Sequence, residues 1–298
     1  MRVLLTNHAM TELGGTQTWV KTVASELIRR GIDVDVFTLL KGDFAKSMPC
    51  DVFTEIPDVA YDVAFVNHNT CLGMLASKVP DYPVVFTSHG PAHMLERPAG
   101  GATHYVAVSE EVRAMQVSLG FYNSTVIRNP IDFNEFYPQE VENIGDVLVM
   151  CKNIEASKVA ELACCRAGFS YTIAHYQANP IPYEKIPEYI AQHKVVITSG
   201  RGVYETLACG RKPFLFDVRS GKMGGDGWVT SDNIAELAQY NCSGRGSNNH
   251  WTELGLMSSL QSPINDAPPV EWVAENHNVE TVVDKYLAVV GSQERVTA

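Results

Sequence analysis

The 298-residue chain is too long for one ordinary α/β layer and suits two domains of about 130–150 residues. A content of 45% hydrophobic and 19% charged residues excludes disordered and fibrous classes. A formal net charge of −11, from 23 basic and 34 acidic residues, argues against a broad electropositive face for nucleic-acid phosphates, without excluding a local basic pocket.

Strands and helices alternate from the start. Residues 2–6 read as a strand and 16–30 as a helix, with Trp19, Val20, Val23, Leu27 and Ile28 at three-to-four spacing and Gly31 as its stop. Strands follow over 34–39, 63–66, 84–87 and 105–108. A helix over 110–119 is capped by Ser109 and stopped by Gly120. The segment R-N-P-I-D-F-N-E-F-Y-P-Q-E has two prolines and no clean period, which predicts a linker. Alternation then resumes with strand 147–150, helix 156–166, strand 171–174, helix 182–192, strand 195–197, helix 203–209 and strand 214–216. G-K-M-G-G-D-G-W reads as a glycine-rich loop, and helices over 231–240, 249–261 and 279–290 complete the chain. Continuous apolar strands predict parallel sheets covered on both faces. The expected fold is α/β, with two Rossmann-like doubly wound parallel-sheet domains facing a cleft. Their expected bounds are 1–130 and 146–270, joined by a linker over 131–145 and followed by a C-terminal segment over 271–298.

Seven cysteines, including the adjacent Cys164 and Cys165 and no zinc-like pair of pairs, predict reduced thiols in a cytosol. The start M-R-V-L-L-T-N-H is too soon polar for a signal peptide, and no apolar run of about 18 residues is present, so no membrane insertion is expected.

Ligands of open α/β sheets gather at the carboxyl ends of strands, and four loops stand out there. In N-H-A-M-T-E-L-G-G-T, Gly14 and Gly15 precede the first helix, where unpaired amides suit an anion; the alternative is a flexible loop. The nicotinamide fingerprint is absent, since only one glycine pair occurs. Asp35 has the spacing of a ribose-binding acid, and Asp33-Val34-Asp35 that of a metal-binding pair, but solvated strand carboxylates are the simpler expectation. In F-T-S-H-G-P, His89 could donate to a sugar hydroxyl, shift a proton, or be structural. In C-K-N-I-E-A-S-K, Lys152 and Lys158 could clamp a diphosphate or be ordinary surface lysines. In T-S-G-R-G-V-Y-E, Gly200, Arg201 and Gly202 bring amides to a helix start, and Glu205 could grip a vicinal diol such as ribose. The alternative for Glu205 is a third-position glutamate capping its own helix, which leaves the two glycines unexplained. Phosphate beside diol means nucleotide.

Five stretches in order resemble the retaining glycosyltransferases of the GT-B fold, particularly glycosyltransferase family 4. They are G-G-T-Q-T-W-V-K-T-V-A-S-E-L-I-R-R-G-I-D-V-D-V-F, V-V-F-T-S-H-G, Y-V-A-V-S-E-E-V, V-I-R-N-P-I-D-F-N-E-F-Y-P and Y-E-T-L-A-C-G-R-K-P-F-L-F. The resemblance implies an acceptor-side first domain, a second domain that binds the nucleotide sugar, and a last helix that crosses back to the first. It implies that Glu205 holds the donor ribose, that Gly14 and Gly15 approach the phosphates or the acceptor, and that His89 touches the transferred sugar. It places Lys152 and Lys158 on the diphosphate, with Asn153 competing for the first place. Ser199, Gly200, Arg201, Gly202 and Val203 become donor contacts.

One departure concerns an earlier family glutamate, whose place Ile197 occupies, so sugar orientation falls to Ser199, Arg201 and backbone amides. The implied activity is transfer from a nucleoside-diphosphate sugar, UDP or GDP being expected, to a hydroxyl acceptor of open class. The lysines neutralise the leaving group, so no metal is expected. A sugar-nucleotide epimerase and an inactive nucleotide binder are the alternatives.

Overall fold

In the computed structural model, residues 1–175, 179, 181–219, 222–247, 249–262 and 265–291 are described. The chain divides into two compact units, one of residues 1–130 with 277–298 and one of residues 131–276.

Unit 1 is built on seven parallel strands in the order β3-β2-β1-β4-β5-β6-β7. They are β1 (Arg2–Met10), β2 (Asp33–Lys41), β3 (Val52–Phe53), β4 (Val63–Asn67), β5 (Val84–Ser88), β6 (His104–Ala107) and β7 (Ser124–Val126). β4 and β5 are buried at every residue, as strands covered on both faces must be. The interleaved helices are α1 (Gly15–Arg29), α2 (Asn69–Ala76) and α3 (Glu110–Ser118). Ser109 caps α3 by accepting from the Val112 amide at 3.3 Å, and Gly120 follows at φ 91°. The short α2 escapes a periodicity search because N-T-C-L-G-M-L-A carries a central glycine and no polar face.

The last helix, α10 (Val279–Gly291), packs on α1, where Val282, Val283 and Tyr286 meet Trp19, Val23 and Leu27. Arg30 ties the two helices, with Nη1 to Asp284 at 2.5 Å and Nη2 to the Glu280 carbonyl at 2.8 Å. The buried Tyr286 hydroxyl meets Thr87 Oγ1 at 3.0 Å, linking α10 to β5.

Unit 2 has five strands in the order β12-β11-β10-β8-β9. They are β8 (Gly145–Val149), β9 (Tyr171–Ile173), β10 (His193–Thr198), β11 (Lys212–Arg219) and β12 (Lys222–Trp228). All pairs are parallel except β11 with β12. Renumbered from β8 this is the doubly wound order 2-1-3-4-5 with an antiparallel edge. Its helices are α4 (Ile154–Ala167), α5 (Ile186–Ala191), α6 (Arg201–Ala208), α7 (Ile234–Ala238), α8 (Glu253–Gln261) and α9 (Val270–His277). α4 and α8 cover one sheet face over Val147, Val149, Ile197, Phe214 and Phe216.

The stretch expected to be a glycine-rich loop is β12, apart from residue 221, which lies outside the described residues. A Cβ on Gly225 would lie 2.0 Å from the Leu215 carbonyl oxygen, beside a register shift in β11. The glycines admit close strand approach at a bulge, a demand that only the partner strand reveals.

Candidate functional site

In unit 2 the strand order reverses at β8, and the loops after β8 and β10 flank that point. Gly200, between β10 and α6, has φ 63° and ψ −130°, a conformation that favours glycine. Its amide donates to the Cys242 carbonyl at 2.7 Å. A Cβ on Gly202 would lie 2.3 Å from Thr198 Oγ1, so the helix start packs directly on the end of β10. Both glycines therefore have a structural cause.

α6 starts at Arg201, two residues earlier than its apolar pattern suggests, so Glu205 is the fifth helical residue and not the third. The first turn holds no acid and no side chain caps it, which removes the self-capping alternative. The buried Glu205 carboxylate instead accepts from Arg201 Nε through Oε1 at 2.6 Å. Val203 is fully buried and its amide donates to the Gly200 carbonyl at 3.1 Å, so its side chain belongs to the core and not to a ligand surface. Ile197 is likewise a core residue.

Across the reversal point, Asn153 caps α4 by accepting from the amides of Glu155 at 2.8 Å and Ala156 at 3.4 Å. Asn153 thus serves its own helix. Lys152 and Lys158 are both exposed, and among the described residues neither ammonium is paired.

Asp217, buried near the end of β11, accepts from the Lys152 amide at 3.1 Å, the Asn153 amide at 3.2 Å and Ser199 Oγ at 3.1 Å. One carboxylate staples both loops to a third strand, and Ser199 is engaged with it. Sequence reasoning passed over Asp217, although a lone acid interrupting F-L-F-D-V was its signal.

In unit 1 the order reverses between β1 and β4. β1 runs on to Met10, so N-H-A-M is strand where a loop was expected. Gly14 is the N-cap of α1 in extended conformation, with no side-chain cap, and a Cβ on Gly15 would meet nothing within 4 Å. His89 follows β5. Its Nε2 lies 2.9 Å from Asn67 Oδ1, its ring meets Trp19 edge-to-face at 5.5 Å, and its amide donates to Glu96 Oε2 at 2.6 Å.

Glu96 Oε1 lies 3.4 Å from His68 Nε2, and His68 Nδ1 accepts the His8 amide at 3.1 Å. An Nδ1 that accepts carries no proton, so the His68 proton sits on Nε2, facing Glu96. Burial pushes the Glu96 carboxyl up, but the His68 hydrogen bond, the electrostatic influence of the His89 and His68 rings and the His89 amide outweigh it, leaving a net lowering. Burial, then the neighbouring His68 and His93, lowers the His8 imidazole, which favours its neutral form. His8, Asn67, His68 and Glu96 were not foreseen. The signal for three of them was the dipeptide Asn-His closing both L-L-T-N-H and A-F-V-N-H.

Of the two strand carboxylates near the start of β2, Asp33 is exposed. Asp35 is buried, accepts the Tyr61 hydroxyl at 3.0 Å and lies 3.2 Å from Arg2 Nε, so the expectation of a solvated pair fails for it. A cavity of about 440 Å³ in unit 2, bordered by Asp146, Lys194, Arg211 and Lys212, lies at the amino ends of the strands, away from the loops above.

No protein-family model and no curated protein matches this sequence. Solved structures do match in shape. AviGT4, a glycosyltransferase involved in avilamycin A biosynthesis, aligns over 97% of each chain at 15% identity and a TM-score of 0.60. A UDP-N-acetylglucosamine 2-epimerase assignment from Listeria monocytogenes aligns over 100% of this chain and 97% of its own at 9% identity and 0.62. An alpha-glucosyltransferase, solved with UDP and a 13-mer DNA containing an HMU base, aligns over 98% and 99% at 12% identity and 0.57. Strand orders and these likenesses together show that the chain has the GT-B fold, two Rossmann-like units on parallel-dominated sheets.

Proposed function

We propose that this protein is a glycosyltransferase that moves a sugar from a nucleoside-diphosphate donor to a hydroxyl acceptor with retention of configuration. The observation that carries this is the arrangement at the unit 2 reversal point. A buried glutamate stands in the first turns of the uncapped α6, while two exposed lysines, unpaired among the described residues, follow the neighbouring β8. Glu205 takes a ribose hydroxyl, and Lys152 and Lys158 take the diphosphate.

The bond from the anomeric carbon to phosphate breaks as charge builds on the departing diphosphate. Cations and helix-start amides favour that state over the ground state, and one such donor contributes about 2.7–4 kcal/mol of barrier lowering. The leaving phosphate itself accepts the acceptor's proton, so retention needs no separate side-chain base. Two lysines supply the charge that a metal would otherwise supply, and turnover is expected to persist in a chelator. His89, held within unit 1 by Asn67, Trp19 and Glu96, is tested separately: His89→Ala is expected to keep nucleotide binding and lose transfer, and unchanged turnover would remove it from the reaction. UDP is the first donor base to test, because the alpha-glucosyltransferase neighbour was solved with it.

The test is a thermal-shift panel of nucleoside diphosphates and their sugars. A true donor at one hundred times its Kd stabilises the fold by about 2.7 kcal/mol. Glu205→Ala is expected to lose that response, and an unchanged response would remove Glu205 from the ribose. Product analysis then separates transfer from epimerisation, the activity assigned to one fold neighbour. Nucleotide release that depends on a second substrate marks a transferase, and an epimerised free nucleotide sugar marks the other.

A further inference from the structure

Arg201 sits where a cation is least welcome. It is the first residue of α6, at the positive end of the helix dipole, and it precedes its acid in the weaker i,i+4 order. Both side chains are nearly withdrawn from solvent, at 10% and 8% exposure. Desolvating such a pair costs about as much as its attraction returns, so stability alone does not account for it.

Its surroundings are anionic. Burial alone would disfavour the guanidinium, but the Glu205 charge and hydrogen bonds to Glu205 and Tyr183 raise its pKa above the ordinary value. The Tyr183 hydroxyl in turn donates to Glu135 Oε2 at 3.3 Å. Cys209, one turn on in sequence, is a buried thiol whose pKa burial and the Glu205 charge push up to about 12, so it adds no charge. The charged groups linked to Glu205 include Arg201 and, through Tyr183, Glu135, while Arg211 acts on the adjoining Cys209 and opposes the upward push on its thiol. Among the described residues Glu205 Oε1 carries the Arg201 bond and Oε2 carries none.

We propose that Arg201 is a positioning residue that reserves one oxygen of Glu205, so that the carboxylate contacts a single ribose hydroxyl of a nucleoside diphosphate instead of gripping both. This rests on the nucleotide assignment above. The glycines support it. Gly202 seats the start of α6 tightly on β10, where a Cβ would fall 2.3 Å from Thr198 Oγ1, and the Gly200 amide fixes the preceding turn on the Cys242 carbonyl at 2.7 Å. With Arg201 Nε on Oε1 at 2.6 Å, Oε2 is the oxygen that keeps both lone pairs for a ligand.

The experiment compares Kd values of UDP and GDP with their 2′-deoxy and 3′-deoxy forms on the full chain, for wild type, Arg201→Met, Arg201→Lys and Glu205→Gln. In the wild type, one deoxy form of the bound diphosphate is expected within about twofold of its parent, and the other weaker by about tenfold or more, the effect of losing one hydrogen bond to a charged group. In Arg201→Met that asymmetry is expected to fall below about threefold, and Arg201→Lys to restore part of it. A purely structural role for Arg201 would lower the stability of the variant without changing the ratio between the two analogues.

Equal weakening of both deoxy forms in the wild type overturns the inference, as does asymmetry that survives in Arg201→Met. If Arg201→Met does not fold, the wild-type comparison and Arg201→Lys still decide, since unaltered asymmetry in the lysine variant would also count against it. The nucleotide assignment fails separately, on wild type that binds neither diphosphate or on Glu205→Gln that binds as wild type does.

Discussion

Two strand-to-helix turns carry paired glycines, one ahead of α1 in unit 1 and one ahead of α6 in unit 2, and their glycines answer different demands. At the α6 turn the fold requires them. Gly200 adopts a left-handed φ and Gly202 lies against Thr198. At the α1 turn the fold requires little. Gly14 is extended, its added Cβ would meet only the tip of Gln17, and Gly15 faces open space. A glycine that the fold does not need is the better candidate for backbone approach by a ligand. A glycine that packing already explains says little about function by itself. In unit 2 the functional weight therefore moves from the glycines to Glu205, Arg201 and the two lysines.

The largest test of that contrast is Asp217→Ala. It leaves the Lys152 and Asn153 amides without their acceptor, and a loss of about 3 kcal/mol in urea unfolding is expected. A loss below about 0.5 kcal/mol would show that the unit 2 turns do not depend on this staple. Next, Gly200→Ala is expected to cost about 2 kcal/mol from backbone strain. Gly15→Ala, at the first residue of a helix, should be neutral or stabilise by about 0.5 kcal/mol. Reduced turnover in a stable Gly15→Ala would assign that glycine to a ligand, whereas a destabilised variant would show a packing role.

Lys152→Ala or Lys158→Ala is expected to lower kcat/KM about a hundredfold each, roughly 2.7 kcal/mol, with unfolding unchanged because both side chains are exposed. Full activity in both variants would leave the diphosphate without its cations.

The smallest effect is the dependence of stability on pH. Burial lowers the pKa of His8, His104 and His193 from 6.5. Each ring is kept neutral by the fold, so its contribution is full above about pH 6.5 and declines as the pH falls from there toward its lower folded value. Glu96, lowered from 4.5, contributes above that value and loses it as pH falls through its folded pKa. Tm is therefore expected to be flat from pH 7 to 8 with respect to these groups and to decline below about 6.5. A rise in Tm on acidification would contradict the histidine assignments.

Much of the architecture was legible one residue at a time. Ser109 and Gly120 bound α3, Gly31 follows α1 at φ 72°, and unbroken apolar runs mark β4 and β5. These are local signals, fixed by backbone conformation and by the period of burial. The site was legible in part. The loops around His89, Lys152 and Glu205 stand out because polar residues follow apolar strands. Asn153 shows the limit, since capping its own helix and binding a ligand ask for the same side chain.

By itself, then, the amino-acid order determined the α/β alternation, the strand-end loops and the chemistry available in them. Tertiary structure alone decided that Glu96 joins His68 to the His89 loop, that Asp217 staples two loops to β11, that Arg201 engages Glu205, and that a glycine-rich stretch is an edge strand. The physical reason is range. Capping, turn conformation and hydrophobic period act over a few residues, whereas a buried carboxylate is stabilised by whichever donors the fold brings to it. His68 and Glu96, or Asn153 and Asp217, are distant in sequence and become partners only when parallel strands carry them to the same end of a sheet.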